Sequence, residues 1–262
     1  MLGKLIKHEI RATGRIIPMF YIAIVTTFLT GLIGNLIDNS YLHGLATFLM
    51  IISIFAINIV TLVVVVTRYY KNLFGNEGYL TGTLPVDKSL ILATKIIVGF
   101  GWIILSYIAT AFCTFGLLFI NNEITLELFQ QSLFELVKTL FNEQYVRSTI
   151  FYFLATIIIQ TMLFIAKIYC AITIAHTKPF IKHSVGFSIL WYFIIGIIID
   201  SIDAILIFIP FGINVETGHI VTETMLSGSG VLGLANLVSN VIVSIVLFLI
   251  TNSLLYSKTS LK

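Results

Sequence analysis

Six long stretches without a charged side chain dominate this sequence and leave few folds open to it. The stretches are 16–37, 39–67, 96–122, 148–166, 184–199 and 224–257. A helix needs roughly 20 apolar residues to cross the hydrocarbon core of a bilayer, whereas a barrel strand needs about ten alternating ones. The lengths therefore predict transmembrane helices and exclude a transmembrane barrel. Only 10% of the residues are charged, against about 25% in a soluble globular protein, which excludes a soluble enzyme.

These stretches and their flanks predict an all-α polytopic membrane protein, built as one transmembrane domain over residues 1–262. The predicted spans are about 16–37, 45–67, 90–120, 148–175, 184–206 and 231–256. Residues 68–89 are expected to form a cytoplasmic loop, and 121–147 and 207–230 to form extracellular segments. The first of these outer segments has the pattern of a short amphipathic helix. The apolar start of the second is too short to cross the bilayer, so we expect it to be re-entrant or interfacial.

Residues 1–15 are expected to form an amphipathic helix in the plane of the membrane interface. One predicted face is apolar and consists of Leu2, Leu5, Ile6 and Ile10. The opposite face carries Lys4, Lys7, His8 and Arg11. Such a helix lies among the lipid headgroups, with its cations near anionic lipid. A plain cluster of charges that orients the first span would give the same composition.

Lysine and arginine residues set the predicted orientation, because cytoplasmic loops of membrane proteins are enriched in them. With both termini placed in the cytoplasm, Lys138 and Arg147 fall outside and Lys167 lies within the fourth span. Of the fifteen basic residues this leaves twelve on the cytoplasmic side. The charge balance therefore predicts cytoplasmic N and C termini.

Two cytoplasmic segments combine charge with large apolar side chains. In the first, 68–89, Phe74 and Tyr79 have no predicted span to bury them. Exposed apolar groups framed by charges are typical of a docking surface for another protein. The alternative is that these rings dip into the membrane interface as an aromatic belt. The second segment, 176–183, is short and basic, and the orientation rule alone would explain its charge.

Lys167 falls well inside the fourth predicted span. It lies eight residues before Ala175, about 12 Å from that end of the helix. Its ammonium group either snorkels to the interface or occupies a cavity, where a carboxylate would be the natural partner. Asp200 and Asp203 lie near the opposite end of the fifth span and are expected to be interfacial, so neither is an obvious partner.

Sequence motifs for catalysis are missing. The chain has no GxxxxGK[ST] loop for nucleotide phosphates, no HExxH zinc motif and no CxxC pair. Cys113 and Cys170 lie in apolar runs and are expected to be buried. We therefore expect a chain that is not an enzyme and that binds no cofactor or metal of its own.

The most specific stretch reads RYYKNLFGNEGYL from Arg68 to Leu80, and TLPV follows from Thr83 to Val86. The N-terminal KLIKHE, from Lys4 to Glu9, belongs to the same pattern. In these parts and in its six predicted spans, the chain resembles the permease subunits of bacterial ABC exporters of the ABC-2 type. It is most similar to small Gram-positive members of that group.

The resemblance implies a subunit of an exporter in the cytoplasmic membrane of a bacterium. Two permease subunits, identical or related, would pair among the membrane lipids and bind two copies of a cytoplasmic P-loop ATPase. ATP and magnesium would be held by that ATPase, and no nucleic acid is involved. Coupling to the ATPase would fall on two sets of residues. These are Asn72, Leu73, Phe74, Gly75, Glu77, Gly78, Tyr79 and Leu80, and then His176, Lys178, Pro179 and Phe180.

Passengers of similar small systems include amphipathic or antimicrobial peptides, drugs and lipid-like molecules. Among these the resemblance favours a peptide. A drug or lipid exporter of the same family is the first alternative, and a secondary transporter or channel is the second. An intramembrane enzyme is a further class, but it would need nucleophiles or metal ligands within the spans.

The charge balance makes a direct prediction about topology. Reporter fusions after residues 80 and 262 should report a cytoplasmic location, and fusions after residues 130 and 220 an external one, because the basic residues concentrate on one side. An alkaline phosphatase signal from the fusion at residue 80 would overturn both the orientation and the assignment of 68–89 as a cytoplasmic segment.

Overall fold

A computed structural model shows eight helices and a small sheet in the part of the chain that it describes. The described residues are 2–37, 39–75, 78, 86–121, 126–177, 179–180, 183–214, 217–222 and 231–257. The helices are α1 (Leu2–Thr13), α2 (Ile17–Leu36), α3 (Ser40–Leu73), α4 (Lys88–Ile120), α5 (Leu126–Asn142), α6 (Gln144–Ala175), α7 (Ser184–Leu206) and α8 (Leu234–Ser257). Six of them, α2, α3, α4, α6, α7 and α8, are long and apolar enough to cross a membrane. The predicted all-α architecture with six spans is confirmed.

Helix α3 is longer than the sequence analysis predicts. It begins at Ser40 rather than near 45 and continues to Leu73, so the segment expected as a loop from residue 68 starts as helix. Between residues 68 and 73 the sequence contains no glycine or proline that would stop the helix. The helix ends just before Gly75, where an added Cβ would lie 2.8 Å from the carbonyl oxygen of Lys71. Glycine therefore permits the close approach at which the chain leaves α3.

The second outer segment contains strands that the sequence did not predict. These are β1 (Gly212–Asn214) and β2 (Ile220–Val221), and β3 (Val231–Gly233) follows directly after the segment. They form an antiparallel sheet in the order β2-β1-β3. Between β1 and β2 the chain turns at Gly218, whose φ of 69° is a left-handed conformation that glycine adopts without strain. Strand β3 leads directly into α8. For this reason α8 begins at Leu234 and not at the predicted position 231. The helix expected within 121–147 is present as α5.

The chain divides into two compact units. The first unit is Met1–Tyr69 with Leu90–Ser132, and the second is Tyr70–Ser89 with Leu133–Lys262. In the first, polar side chains join α3 to α4 inside the apolar bundle. The hydroxyl groups of Thr61 and Ser106 lie 2.7 Å apart, and Asn58 donates to the Thr110 hydroxyl at 2.8 Å. Polar groups at membrane depth need such internal partners, because no water reaches them there.

Polar contacts also attach α1 to α3 and α4 within the first unit. Lys95 of α4 donates a hydrogen bond to the carboxylate of Glu9, and the guanidinium group of Arg68 on α3 lies 3.8 Å from the same carboxylate. Trp102 Nε1 donates to the Thr13 hydroxyl at 2.7 Å. Glu9 is 8% exposed and Lys95 is 5% exposed, so this ion pair is largely shielded from solvent.

The face of α1 that packs on the rest of the first unit includes most of the predicted apolar face. Leu2, Leu5 and Ile6 are half-buried there, whereas Ile10 is exposed. Glu9 and Thr13 are buried on the same face, because three or four positions separate neighbours on one side of a helix. Helix α1 is amphipathic as expected, and the ion pair and the Trp102 hydrogen bond add polar contacts to its packed face.

In the second unit, α6 packs against both α7 and α8. The core of this packing contains Leu163, Ala166, Cys170, Ala171, Ile195, Ile199 and Leu247. Small residues such as Ala166 and Ala171 allow the helix backbones to approach closely. Large apolar residues elsewhere on these helices, for example Phe151 and Phe193, are exposed. Such a surface suits contact with lipid chains and accords with a multi-pass membrane protein.

The ion pair between Glu9 and Lys95 should be important for stability. Glu9→Gln is expected to lower the unfolding temperature of the purified chain in detergent by roughly 6–20 °C, because breaking a buried ion pair costs about 3–5 kcal/mol. Lys7→Gln, at an exposed position of α1, is the control and should leave the temperature unchanged. Replacing both partners, with Glu9→Leu and Lys95→Met, should recover most of the loss. Unchanged unfolding of Glu9→Gln would contradict this role.

Candidate functional site

The first predicted coupling segment begins where α3 ends, in the second unit. The backbone N–H groups of Phe74 and Gly75 both donate to the carbonyl oxygen of Tyr70, at 2.8 and 3.1 Å. The N–H of Gly78 then donates to the Gly75 carbonyl oxygen at 2.9 Å. These bonds close the last turn of α3 and fix the backbone of Phe74 directly after the helix.

The second predicted segment begins at His176, directly after α6. The His176 backbone N–H donates to the Ile172 carbonyl oxygen at 3.2 Å, and ring atom Nδ1 lies 2.7 Å from the same oxygen. A carbonyl oxygen only accepts, so Nδ1 carries a hydrogen in this arrangement. The backbone contact and the ring contact together fix the orientation of the imidazole.

An aromatic contact joins the two segments. The ring of Phe74 stacks on the ring of His176, with centroids 4.3 Å apart and planes at 23°. Tyr70 meets the same imidazole edge-on, at 5.4 Å. Residues about a hundred positions apart in the sequence thus form one packed cluster, which we call the inner aromatic cluster (Tyr70, Phe74 and His176).

The expectation that Phe74 is exposed on a cytoplasmic loop is wrong. Both Phe74 and His176 are buried, at 9% and 7% exposure, because each covers the other. Asn72, Leu73 and Gly75 are half-buried and Gly78 is buried. Phe180 packs on α7, 4.8 Å from the Phe187 ring, and Pro179 is exposed. Four of the predicted coupling residues, Glu77, Tyr79, Leu80 and Lys178, lie outside the described residues.

A further contact near this part of the chain was not predicted. The Lys88 ammonium group donates to the Leu255 carbonyl oxygen at 2.7 Å, and the Tyr256 hydroxyl donates to the Asp87 carboxylate at 2.9 Å. The start of α4 is thereby attached to the end of α8. A sequence signal existed, since Tyr256 is an aromatic residue at the end of a span and the charged residues Asp87 and Lys88 stand at the start of α4.

The Lys167 ammonium group does not reach the helix end, and no carboxylate of the described residues pairs with it. It lies 4.5 Å from the centroid of the Tyr192 ring on α7. The ammonium group also lies beside Gly196, one turn further along α7, where an added Cβ would be 3.6 Å from it. Lys167 is eight residues before Ala175 and Tyr192 is eight after Ser184, about 12 Å from either helix end. A cation held on an aromatic face at this depth gains about 2 kcal/mol when desolvated.

The first unit contains an apolar groove of about 510 Å³ between α2, α3 and α4. Aromatic rings contribute much of its surface, namely Tyr21, Phe28, Phe112, Phe115, Phe119 and Phe129. Phe129 comes from α5 and meets Phe115 edge-on, with centroids 6.0 Å apart. The volume of the groove lies within the roughly 300–1,000 Å³ typical of small-molecule sites. Such a groove suits an apolar ligand or the apolar part of an amphipathic one.

No protein-family model matches the chain, and neither the curated proteins nor the solved structures show a significant match to it. Cys113 and Cys170 are buried and unpaired with each other, as expected.

The stacking of Phe74 on His176 should be measurable as a coupling energy. Phe74→Ala and His176→Ala, combined in a double-mutant cycle on unfolding of the purified chain, should deviate from additivity by about 0.5–1.5 kcal/mol. Phe74→Ala combined with Phe193→Ala, an exposed residue of α7, is the control pair and should be additive. Additivity in both cycles would show that the inner aromatic cluster contributes no specific interaction.

Proposed function

We propose that this chain is the transmembrane permease subunit of an ATP-driven exporter that moves an amphipathic substrate, with a peptide favoured, across the cytoplasmic membrane of a bacterium. The observation that carries the proposal is the inner aromatic cluster. It brings together the two segments to which the sequence resemblance assigns contact with an ATPase. The chain itself has no phosphate-binding loop, so the energy for transport would come from a separate P-loop ATPase with bound ATP and magnesium.

The packing of Phe74 on His176 suggests how the force would be transmitted. Helices α3 and α6 contain 34 and 32 residues, so each extends for about 50 Å. A displacement applied where α3 and α6 are joined would therefore be transmitted along both helix axes. Closure of two ATPase subunits beneath a pair of permeases would then alternate the access of the passenger between the two membrane faces.

The apolar groove supports an amphipathic passenger. Its surface is almost entirely hydrocarbon and aromatic, so it would hold the apolar part of a molecule while the polar part stays in water or among headgroups. A peptide with a hydrophobic face meets this requirement, as does a drug or a lipid-like molecule. A drug or lipid exporter of the same family is therefore the second candidate.

A test begins with the ATPase gene that would neighbour the gene of this chain. The two proteins are co-expressed, and complex recovery and ATP hydrolysis are compared for the wild type and Lys71→Glu, which changes an exposed side chain beside the inner aromatic cluster. We expect binding at least about tenfold weaker, because charge reversal at an interface opposes association. Lys138→Glu, on the predicted outer side, is the control and should bind normally.

Phe74→Ala provides a separate arm of this experiment. Because Phe74 is buried, its loss should spare recovery of the complex but uncouple passenger-stimulated hydrolysis from export. The permease purified alone should hydrolyse no ATP. Sustained hydrolysis by the permease alone, or full binding and coupling by both variants, would contradict the proposed function.

A further inference from the structure

Three polar side chains meet in the second unit where α7 ends and α8 begins. Asp203 lies three residues before the end of α7, and Asn236 and Asn240 lie one turn apart on the same face of α8. The Asn236 amide donates to the Asp203 carbonyl oxygen at 3.5 Å, and the Asn240 side chain lies near the Asp203 carboxylate. The sequence analysis places Asp200 and Asp203 at the interface. Asp200 is exposed, but Asp203 is half-buried.

One oxygen of each side chain is left without a donor. The Oδ1 atoms of Asp203, Asn236 and Asn240 are all buried, and no hydrogen-bond donor from the described part of the chain reaches them. Asn240 is only 2% exposed. A buried acceptor without a partner is unfavourable, and three of them on adjoining side chains are more so. Acceptors without a donor on neighbouring side chains, one of them a carboxylate, are atoms that a positive charge would satisfy.

The chemistry of the three oxygens restricts the kind of cation. Carboxylate and amide oxygens are ligands for hard cations rather than for transition metals, which favour imidazole and thiolate. Calcium and magnesium also take oxygen ligands, but they carry two positive charges and are commonly held by several carboxylates or by phosphate groups. One half-buried carboxylate beside two neutral amides balances a single positive charge. The exposed carboxylate of Asp200, one turn away, adds to the negative potential at the site.

We propose that Asp203, Asn236 and Asn240 bind a monovalent metal cation, and that in the cell this ion is Na⁺. The ion would satisfy the three oxygens and join α7 to α8 through direct contacts. By the predicted topology the site faces the outside, and water would complete the coordination there. This proposal is independent of the proposed export function, because it concerns packing within the second unit only.

The test measures binding and stability of the full-length chain purified in detergent. Radioactive ²²Na⁺ should bind saturably, and NaCl should raise the unfolding temperature relative to choline chloride at the same ionic strength. The shift should grow with the logarithm of Na⁺ concentration once the site is saturated, by several degrees over a hundredfold range. Both responses should be lost in Asp203→Asn and in Asn240→Leu, which removes an unpartnered oxygen at nearly constant volume.

Asn252→Leu is the matched control. Asn252 lies on the same helix, and its Oδ1 atom is also buried without a donor, but it stands three turns from Asn240. This variant should keep the full Na⁺ response. Equal unfolding temperatures in NaCl and choline chloride, with no saturable ²²Na⁺ binding, would overturn the proposal. So would a stability that depends on pH through Asp203 but not on Na⁺, since a proton on the carboxylate would then take the place of the ion.

Discussion

Polar groups inside a bilayer have no water to bind, and this constraint organises the whole molecule. Every span is a helix because only a helix satisfies its backbone within one segment. The polar side chains within the spans find internal partners in turn, as when Asn58 donates to Thr110 between α3 and α4. Charged groups follow the same rule, since Glu9 is paired with Lys95 and Lys167 lies over the ring of Tyr192. Some buried polar atoms depart from this rule, as the Asn252 oxygen does. The oxygens around Asp203 differ from it because they adjoin a carboxylate, and for that reason they point to a bound ion.

The same constraint connects structure with the proposed function. A permease must carry force through a region where exposed polar groups are costly, so its mechanical contacts are expected to be aromatic or internally paired. The inner aromatic cluster has this character, because Phe74 covers the imidazole of His176 and a carbonyl oxygen takes its ring N–H. The groove in the first unit is also aromatic, and it presents an apolar surface to a passenger without breaking any polar pair.

Much of the fold could be predicted from the sequence because helix formation in a membrane is local. Runs of about 20 uncharged residues are sufficient to identify the six spans, and α7 was predicted with the bounds that the structure shows. The end of α3 was predicted poorly, because the charged residues Arg68 and Lys71 indicate where the apolar run stops and not where the helix stops. The sheet was missed because strands of two or three residues are too short to show an alternating pattern.

The sequence by itself determined the class of fold, the six spans, the expected orientation and the two segments that became the candidate site. Only the tertiary structure decided which side chains meet. In the sequence, Glu9 is one acidic residue in a basic helix and Lys95 is one of many predicted cytoplasmic cations. In the structure the two form an ion pair, although 86 positions separate them. Likewise the sequence predicts that Phe74 is an exposed docking residue, whereas in the structure His176 covers it. Local pattern determines how a segment meets the membrane, whereas a contact between distant residues depends on helix packing, which no single stretch of sequence contains.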